Sequence, residues 1–463
     1  MGAPMATPDH ASRPSGATLE RALGRWDLTA IGINQVIGSA IFLMPSQVAA
    51  LVGAWSPLAV LAGGMATLAV GLCFAEAGSR FDGTGGAYLY TRAAFGRFIS
   101  FEVGWMAWFT RASSQAAVAA GLTLALGFYF PALAHGWGRA VVISVITLLF
   151  GAVTLAGVRQ SAWTVNALTI AKLLPLVLFL AASLAHADAS GLAPLPPITF
   201  DKAMSAGLLL IFVYGGFEVV GVPAGESKDP RRHVPFALVV TILTVTAIYT
   251  LVQLAAEMTL PNMAASTTPI ADSALATMGS TGALIVGLGS ILAMSGNIMG
   301  QVLSGSRFLY ALGENGDLPR WFARVHPRFR TPSNAVAFTT LVALALSLSG
   351  SFVALAAAAA VARLLVYAGT CCATLALRSP RWAGRAGSAT FTIPLGPVVP
   401  VVGVLLSLMV AAGASRQQLA AGLAFLLLGA VLYLFGKQEK SRVPATGSAS
   451  RGRGRRGGTS LES

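Results

Sequence analysis

Apolar runs of about twenty residues recur along almost the whole chain, separated by short polar or basic connections. A bilayer core of roughly 30 Å needs about 20 such residues per helix. Twelve stretches qualify, at 28–52, 57–78, 98–130, 138–157, 162–185, 202–223, 234–257, 280–312, 334–350, 353–377, 395–414 and 419–435. The pattern predicts an all-α membrane protein with twelve transmembrane helices. Residues 1–25 are polar and rich in Pro, Ser and Ala; they read as a flexible tail without the features of a removable signal peptide. The transmembrane domain covers 26–436, and a basic disordered tail is expected over 437–463.

Composition agrees with this class. Of 463 residues 55% are hydrophobic and only 10% charged, with a mean hydropathy of +0.72. A soluble chain this apolar has too little polar surface to cover its core, a cover that lipid does not require. The net charge of +14 would suit nucleic acid, but the positions of the positive residues argue otherwise. Arg80, Arg92, Arg97, Arg159, Lys228, Arg231, Arg232, Arg320, Arg324, Arg328, Arg330, Arg378, Arg381 and Arg385 all follow even-numbered spans, whereas Arg139, Lys202 and Arg416 fall on the other side. This is the positive-inside bias of a multi-pass protein of the cytoplasmic membrane with both termini inside. The Arg/Gly-rich end reads as a solvated topogenic tail, in preference to a patch for lipid or RNA.

Two spans are interrupted by glycine. The first reads Ile31-Gly-Ile-Asn-Gln-Val-Ile-Gly-Ser-Ala-Ile-Phe-Leu-Met-Pro45, with Gly38-Ser39-Ala40 at mid-membrane; the sixth holds Gly215-Gly216 and then Glu218. One such cluster is ordinary helix packing. Two clusters five spans apart predict inverted repeats, 28–185 and 202–377, with 395–435 appended, and a substrate site at mid-membrane between the breaks. Unwound backbone cannot face lipid, so its N–H and C=O groups must meet a polar ligand. Half-helix N-termini suit a carboxylate and freed carbonyls an ammonium, which an amino acid supplies together.

The stretch Ile37-Gly-Ser-Ala-Ile-Phe-Leu-Met-Pro45 resembles the first-helix motif of the amino acid–polyamine–organocation superfamily. Phe212–Pro235, with Tyr-Gly-Gly-Phe-Glu and Gly225-Glu-Ser-Lys-Asp-Pro230, resembles its sixth helix and following loop. Gly83-Thr-Gly-Gly-Ala-Tyr88 and Gly313-Glu-Asn-Gly-Asp-Leu-Pro319 add support. The resemblance implies the leucine-transporter-type fold, a 5+5 inverted repeat plus two helices, and alternating-access transport of amino acids or amines. It further implies that the backbone of Gly38, Ser39, Ala40 and Ile41 takes the carboxylate, with Ile37 also in the substrate site. Carbonyls near Phe212, Tyr214 and Gly215 take the amine, with Gly216 also in the substrate site and Phe212 as an aromatic lid. Ala40 stands where many relatives have glycine, which narrows the pocket and favours small or apolar, neutral substrates.

Ionisable groups inside the membrane are costly and need a reason. Lys172 on span five reads as a proton-coupling site, as the resemblance also implies, with a tether to freed carbonyls of span one as the alternative. Glu218 either couples protons or accepts hydrogen bonds from unwound backbone. Arg111 is expected to pair with Glu102 or Glu218, the alternative being recognition of an anionic side chain. Arg307 and Arg363 also lie within spans. Asn297 and Gln301, four apart on span eight, share one face and are placed at the cavity. No ATP-binding loop, cofactor motif or metal-spaced cluster is visible, and Cys73, Cys371 and Cys372 form no framework. The expected partners are therefore an amino acid or amine, protons and the bilayer, with no cofactor and no nucleic acid. Proton-coupled uptake leads; exchange is the alternative, and a channel or intramembrane enzyme is disfavoured. Nothing in the pattern selects monomer or homodimer.

Overall fold

The computed structural model describes residues 18–186, 195, 197–349, 352–413 and 416–442. Of the tail expected over 1–25, residues 1–17 fall outside the described residues, as does the end at 443–463; Leu23, within the expected tail, is instead buried and donates its amide to the Glu226 carbonyl at 2.9 Å. The helices are α1 (Arg25–Val36), α2 (Ala40–Val52), α3 (Ser56–Gly78), α4 (Ala87–Phe95), α5 (Arg97–Tyr129), α6 (Gly136–Ala156) and α7 (Val158–Ala185). They continue as α8 (Phe200–Val213), α9 (Pro230–Thr259), α10 (Pro269–Glu314), α11 (Ser333–Leu348), α12 (Phe352–Arg378), α13 (Pro380–Ala383), α14 (Val398–Ala412) and α15 (Arg416–Arg442). Among the described residues no strand forms; one isolated parallel bridge joins Leu23 to Ser227.

Six stretches are by themselves long and apolar enough to cross a membrane: Ala40–Gly78, Gly136–Ala156, Val158–Ala185, Pro230–Thr259, Pro269–Glu314 and Arg416–Leu434. The chain is a multi-pass membrane protein. Its outer faces carry exposed Leu148, Leu149, Ile170, Leu174, Leu405, Leu423 and Leu427, which hydrocarbon covers and water would not.

Both interrupted spans are broken. The first becomes α1 and α2, separated by Ile37–Ser39. The sixth ends as an α-helix at Val213, turns through Tyr214–Gly216, and continues as 3-10 turns over Phe217–Gly221 and Ala224–Glu226 instead of a second α-half. Two features were not read from the sequence. The short α4 is set off by Gly86 (φ +51°) and Gly96 (φ +84°). A turn at Gly279 (φ +69°) divides a short helix starting at Pro269 from the long span that follows. α15 also runs six residues beyond the expected start of the tail at 437.

The most extensive helix packings involve α9, α5 and α10, with α3, α12 and α1 touching helices on both the α9 and the α5–α10 sides. α1 and α3 pack on α9, and α2 and α3 on α8; α5 packs on α10, α11 and α12, and α10 on α7. Small residues let backbones close up without strong apolar attraction in lipid. Gly64 faces Thr246 across the α3–α9 seam so closely that an added Cβ would lie 2.3 Å from Oγ1.

Candidate functional site

The second break touches the last turn of α1, just before the first. Gly216 has φ +127°, open to glycine at little cost. A Cβ there would stand 2.7 Å from the Gln35 carbonyl oxygen and 2.8 Å from its carbon. Both are backbone atoms and cannot step aside. Gly215 is different, since its Cβ would meet the Arg363 Nη1 at 2.2 Å, the far end of a flexible side chain. Gly216→Ala is therefore expected to lower both melting temperature and uptake far more than Gly215→Ala lowers melting, by about 1–3 kcal/mol of backbone strain alone. Thermal melting of the two detergent-purified variants checks this.

Around the first break the polar groups form one continuous set. Asn34 and Gln35 lie in the last turn of α1, and Asn34 Nδ2 donates to the Gly296 carbonyl at 2.6 Å. Gln35 Nε2 donates to the Asn297 carbonyl at 3.0 Å, and Asn297 Nδ2 returns a bond to the Gln35 carbonyl at 2.9 Å. Gln301 Nε2 donates to Asn297 Oδ1 at 3.2 Å, as their spacing of four on α10 allows. Asn297 Nδ2 is also the nearest neighbour of the Gly38 Cβ position, at 3.0 Å. Asn297 thus lies against the break. Tyr249 caps the end of α1 by donating to the Val36 carbonyl at 2.9 Å.

Lys172 lies fully buried beneath this break. Its Nζ donates to the Asn34 carbonyl at 2.8 Å, Asn34 Oδ1 at 2.7 Å and the Ile37 carbonyl at 2.6 Å. Three acceptors call for three donors, which only the ammonium form supplies. The tether to freed carbonyls of span one is present in the geometry. Ser39 and Ala40 beside it are half-buried, Ile37, Gly38 and Ile41 buried. α2 starts at Ala40, so the amides of its first turn face the break.

Glu218 anchors the second break. Oε2 accepts from the Gly216 amide at 2.8 Å and from the Tyr367 hydroxyl at 2.9 Å. Oε1 accepts from Arg111 Nη2 at 2.6 Å, and Arg363 Nε stands 3.5 Å away. Of the two partners expected for Arg111, Glu218 is the one found. Both oxygens of Glu102 are buried without a hydrogen-bond partner, α5 carrying them towards Gly429. Tyr214 directs its hydroxyl away, to the Val60 carbonyl at 2.9 Å, and its ring lies 5.2 Å from that of Tyr249. The side chain of Phe212 lies outside the described residues. Arg363, noted in the sequence only as a charge within a span, and Tyr367, not singled out there, both join the site.

At the arginine-rich end, further polar contacts join segments far apart in the sequence. Arg307 grips Glu226 with Nε and Nη2, both at 2.9 Å, and neither residue is exposed. Asn166 donates to Asp27 at 2.8 Å, and Arg330 to the Thr18 carbonyl at 2.9 Å. A cleft of about 650 Å³ opens nearby, lined by Trp26, Asp27, Asp229, Arg232, His233 and Phe236; it is separate from the breaks.

The comparisons with known proteins agree with one another. The signature of the amino acid permease family matches residues 23–433. The chain is 30% identical over 400 residues to the serine/threonine exchanger SteT of Bacillus subtilis, covering 83% of this chain and 89% of that protein. It is 26% identical to the methylthioribose transporter of the same organism, over 83% and 86% of the two chains. Its identity to the branched-chain amino acid permease BcaP, also of B. subtilis, is 25% over 92% and 95%. On this evidence the chain belongs to the amino acid permease family, a family of membrane transporters and not of enzymes.

Proposed function

We propose that this protein is a secondary active transporter that carries an amino acid across the cytoplasmic membrane by alternating access, coupled to protons through Lys172. The observation that carries the reading is the contact of two broken helices at Gly216 and Gln35, with the Lys172 ammonium holding the carbonyls of the first break. Unwound backbone on both sides of one point supplies donors and acceptors together. The amides of Ser39, Ala40 and Ile41 receive the carboxylate, beside Ile37 and Gly38, whose own amides donate to the Ile33 and Val36 carbonyls at 2.9 Å. The carbonyls of Phe212, Tyr214, Gly215 and Gly216 receive the ammonium, and Asn297 borders the site.

Twelve spans cross the bilayer in this reading, 28–185 and 202–377 being inverted repeats with 395–435 appended and both termini cytoplasmic. Support comes from the arginines gathered at one end and from the close packing of α1 and α3 on α9. The contacts of Arg307, Asp27 and Arg330 then close the cytoplasmic side in this conformation. Loss of the Lys172 proton leaves two N–H donors for three acceptors, so the first break is released. Glu218 holds the second break and is the other group placed to sense the proton.

Uptake of a panel of labelled amino acids into proteoliposomes, with and without an outside-acid pH gradient, tests the proposal. The expected result is accumulation that rises with the gradient and collapses with a protonophore. No uptake of any amino acid would overturn transport, and gradient-independent uptake would overturn proton coupling. Exchange is the second reading, favoured by the name of the 30%-identical relative; uptake seen only into vesicles preloaded with amino acid would select it.

A further inference from the structure

Three glutamines from three helices are buried with part of their amide groups unpaired. Gln35 on α1, Gln115 on α5 and Gln301 on α10 are between 0 and 3% exposed. The side-chain oxygens of all three, and Nε2 of Gln115, have no hydrogen-bond partner among the described residues. Buried amides are normally satisfied, and a single orphan would suit one ordered water. A matched set of orphans beside the first break points to a larger polar group.

Helix packing gathers the three at one level. The Gln35 amide lies on Gly300, next to Gln301 in the chain; an added Cβ on Gly300 would stand 2.0 Å from Gln35 Nε2. α5 and α10 run antiparallel. A Cβ on Gly104 would lie 3.2 Å from Leu312 Cδ2, one on Gly305 3.3 Å from Arg111 Cβ, and one on Gly121 3.8 Å from Met294 Sδ. Gln115 and Gln301 are each one turn from the Arg111–Gly305 contact, in the same direction across the membrane, so they come level. Asn297 fixes which way two of the amides point. Its carbonyl accepts from Gln35 Nε2 at 3.0 Å and its Oδ1 from Gln301 Nε2 at 3.2 Å, so both glutamines are left with an oxygen over.

We infer that Gln35, Gln115 and Gln301 form a subsite for a neutral carboxamide, so that the preferred substrate is glutamine or asparagine. This rests on the transporter reading above and names its substrate class. Three oxygens call for donors and one amide nitrogen calls for an acceptor. A carboxamide brings two N–H donors and an oxygen in one planar group. A hydroxyl has a single hydrogen to offer. A carboxylate has none and sets its charge against the oxygens. An apolar side chain leaves every one of these groups unpaired, the penalty by which such a site rejects an analogue. Arg111, one turn away, is paired with Glu218 at 2.6 Å, so the subsite calls for no charge.

The test compares labelled substrates of nearly equal shape in wild-type proteoliposomes, each below saturation. Glutamine is set against glutamate and methionine, and asparagine against aspartate and leucine, with serine and threonine alongside. The amides are expected to enter about tenfold faster or more than each of the others, the range set by one or more buried polar groups left unpaired. Gln115→Met should erase that preference by raising KM for the amides, and Gln115→Asn should keep part of it. If methionine or leucine enters as fast as the amides, water satisfies the glutamines and the inference falls while the transporter reading stands. Equal or faster entry of the acids, or of serine or threonine, also overturns it, by giving the subsite to a carboxylate or a hydroxyl. If no amino acid is transported, both fall. The wild-type comparison decides even where Gln115→Met fails to fold.

Discussion

Lys172→Met is expected to abolish uptake, a fall of tenfold or more, while the protein still reaches the membrane. The substitution keeps the length of the side chain and removes every donor. Three buried acceptors, the carbonyls of Asn34 and Ile37 and Asn34 Oδ1, then lose their partner. Each orphaned polar group costs about 1–3 kcal/mol, partly offset because a buried ion has been removed as well. Net stability therefore falls modestly, and the geometry of the first break is what is lost. Lys172→Arg separates the two roles proposed for the residue. Arginine retains charge and donors but does not release a proton, so it should preserve melting better than methionine does while abolishing pH-gradient-driven uptake. Uptake assays and thermal melting of both variants supply the readouts. A Lys172→Met protein that transports at the wild-type rate, with the same response to a pH gradient, would show that the lysine neither shapes nor drives the site.

Arg307→Met should be the most destabilising of the single changes considered, by about 3–5 kcal/mol, the usual result of stripping one partner from a fully buried ion pair. Arg307 and Glu226 are both completely buried, and two hydrogen bonds of 2.9 Å join them. Removing the arginine strands a carboxylate that water cannot reach. Adding Glu226→Gln removes that charge, and the double variant should recover most of the loss. Unfolding in detergent micelles measured for both single variants and the double gives the coupling directly. Additive effects would refute the pair as a unit. Because Glu226 belongs to the loop after the second break and Arg307 to α10, the double variant should also fold yet favour an open cytoplasmic side. Faster labelling of a cysteine probe in the cleft beside Trp26 would report this.

Much of the candidate site is legible in the linear chain, for reasons that differ from residue to residue. Glycine at mid-membrane twice, at Gly38 and Gly215-Gly216, marks breaks because lipid tolerates irregular backbone only around a polar cavity. Lys172 and Glu218 stand out because charge is rare in an apolar run. Asn297 and Gln301 fall on one face by helical period alone, and they do bond to each other. Arg111 was ambiguous between two carboxylates. Glu102 lies nine positions away on the same helix, on a face turned towards Gly429, and only the packing of α5 against the second break selects Glu218.

What the sequence determined by itself is therefore local: an all-helical membrane class, the positions of the breaks, and the buried charges that need partners. Hydropathy, glycine and charge act residue by residue through transfer energies and backbone sterics, so they can be read without coordinates. Tertiary structure decided the pairings. Gly216 against Gln35, Lys172 on the carbonyls of Asn34 and Ile37, and Arg363 and Tyr367 on Glu218 join residues between 135 and 181 positions apart along the chain. Such contacts depend on how whole helices pack, and nothing in the spacing of either partner specifies the other. The second half of the sixth span shows the same division. Its break was written in Gly215-Gly216, but its continuation as 3-10 turns follows from the hydrogen bonds and close approaches that Glu218 and Gly216 find in their neighbours.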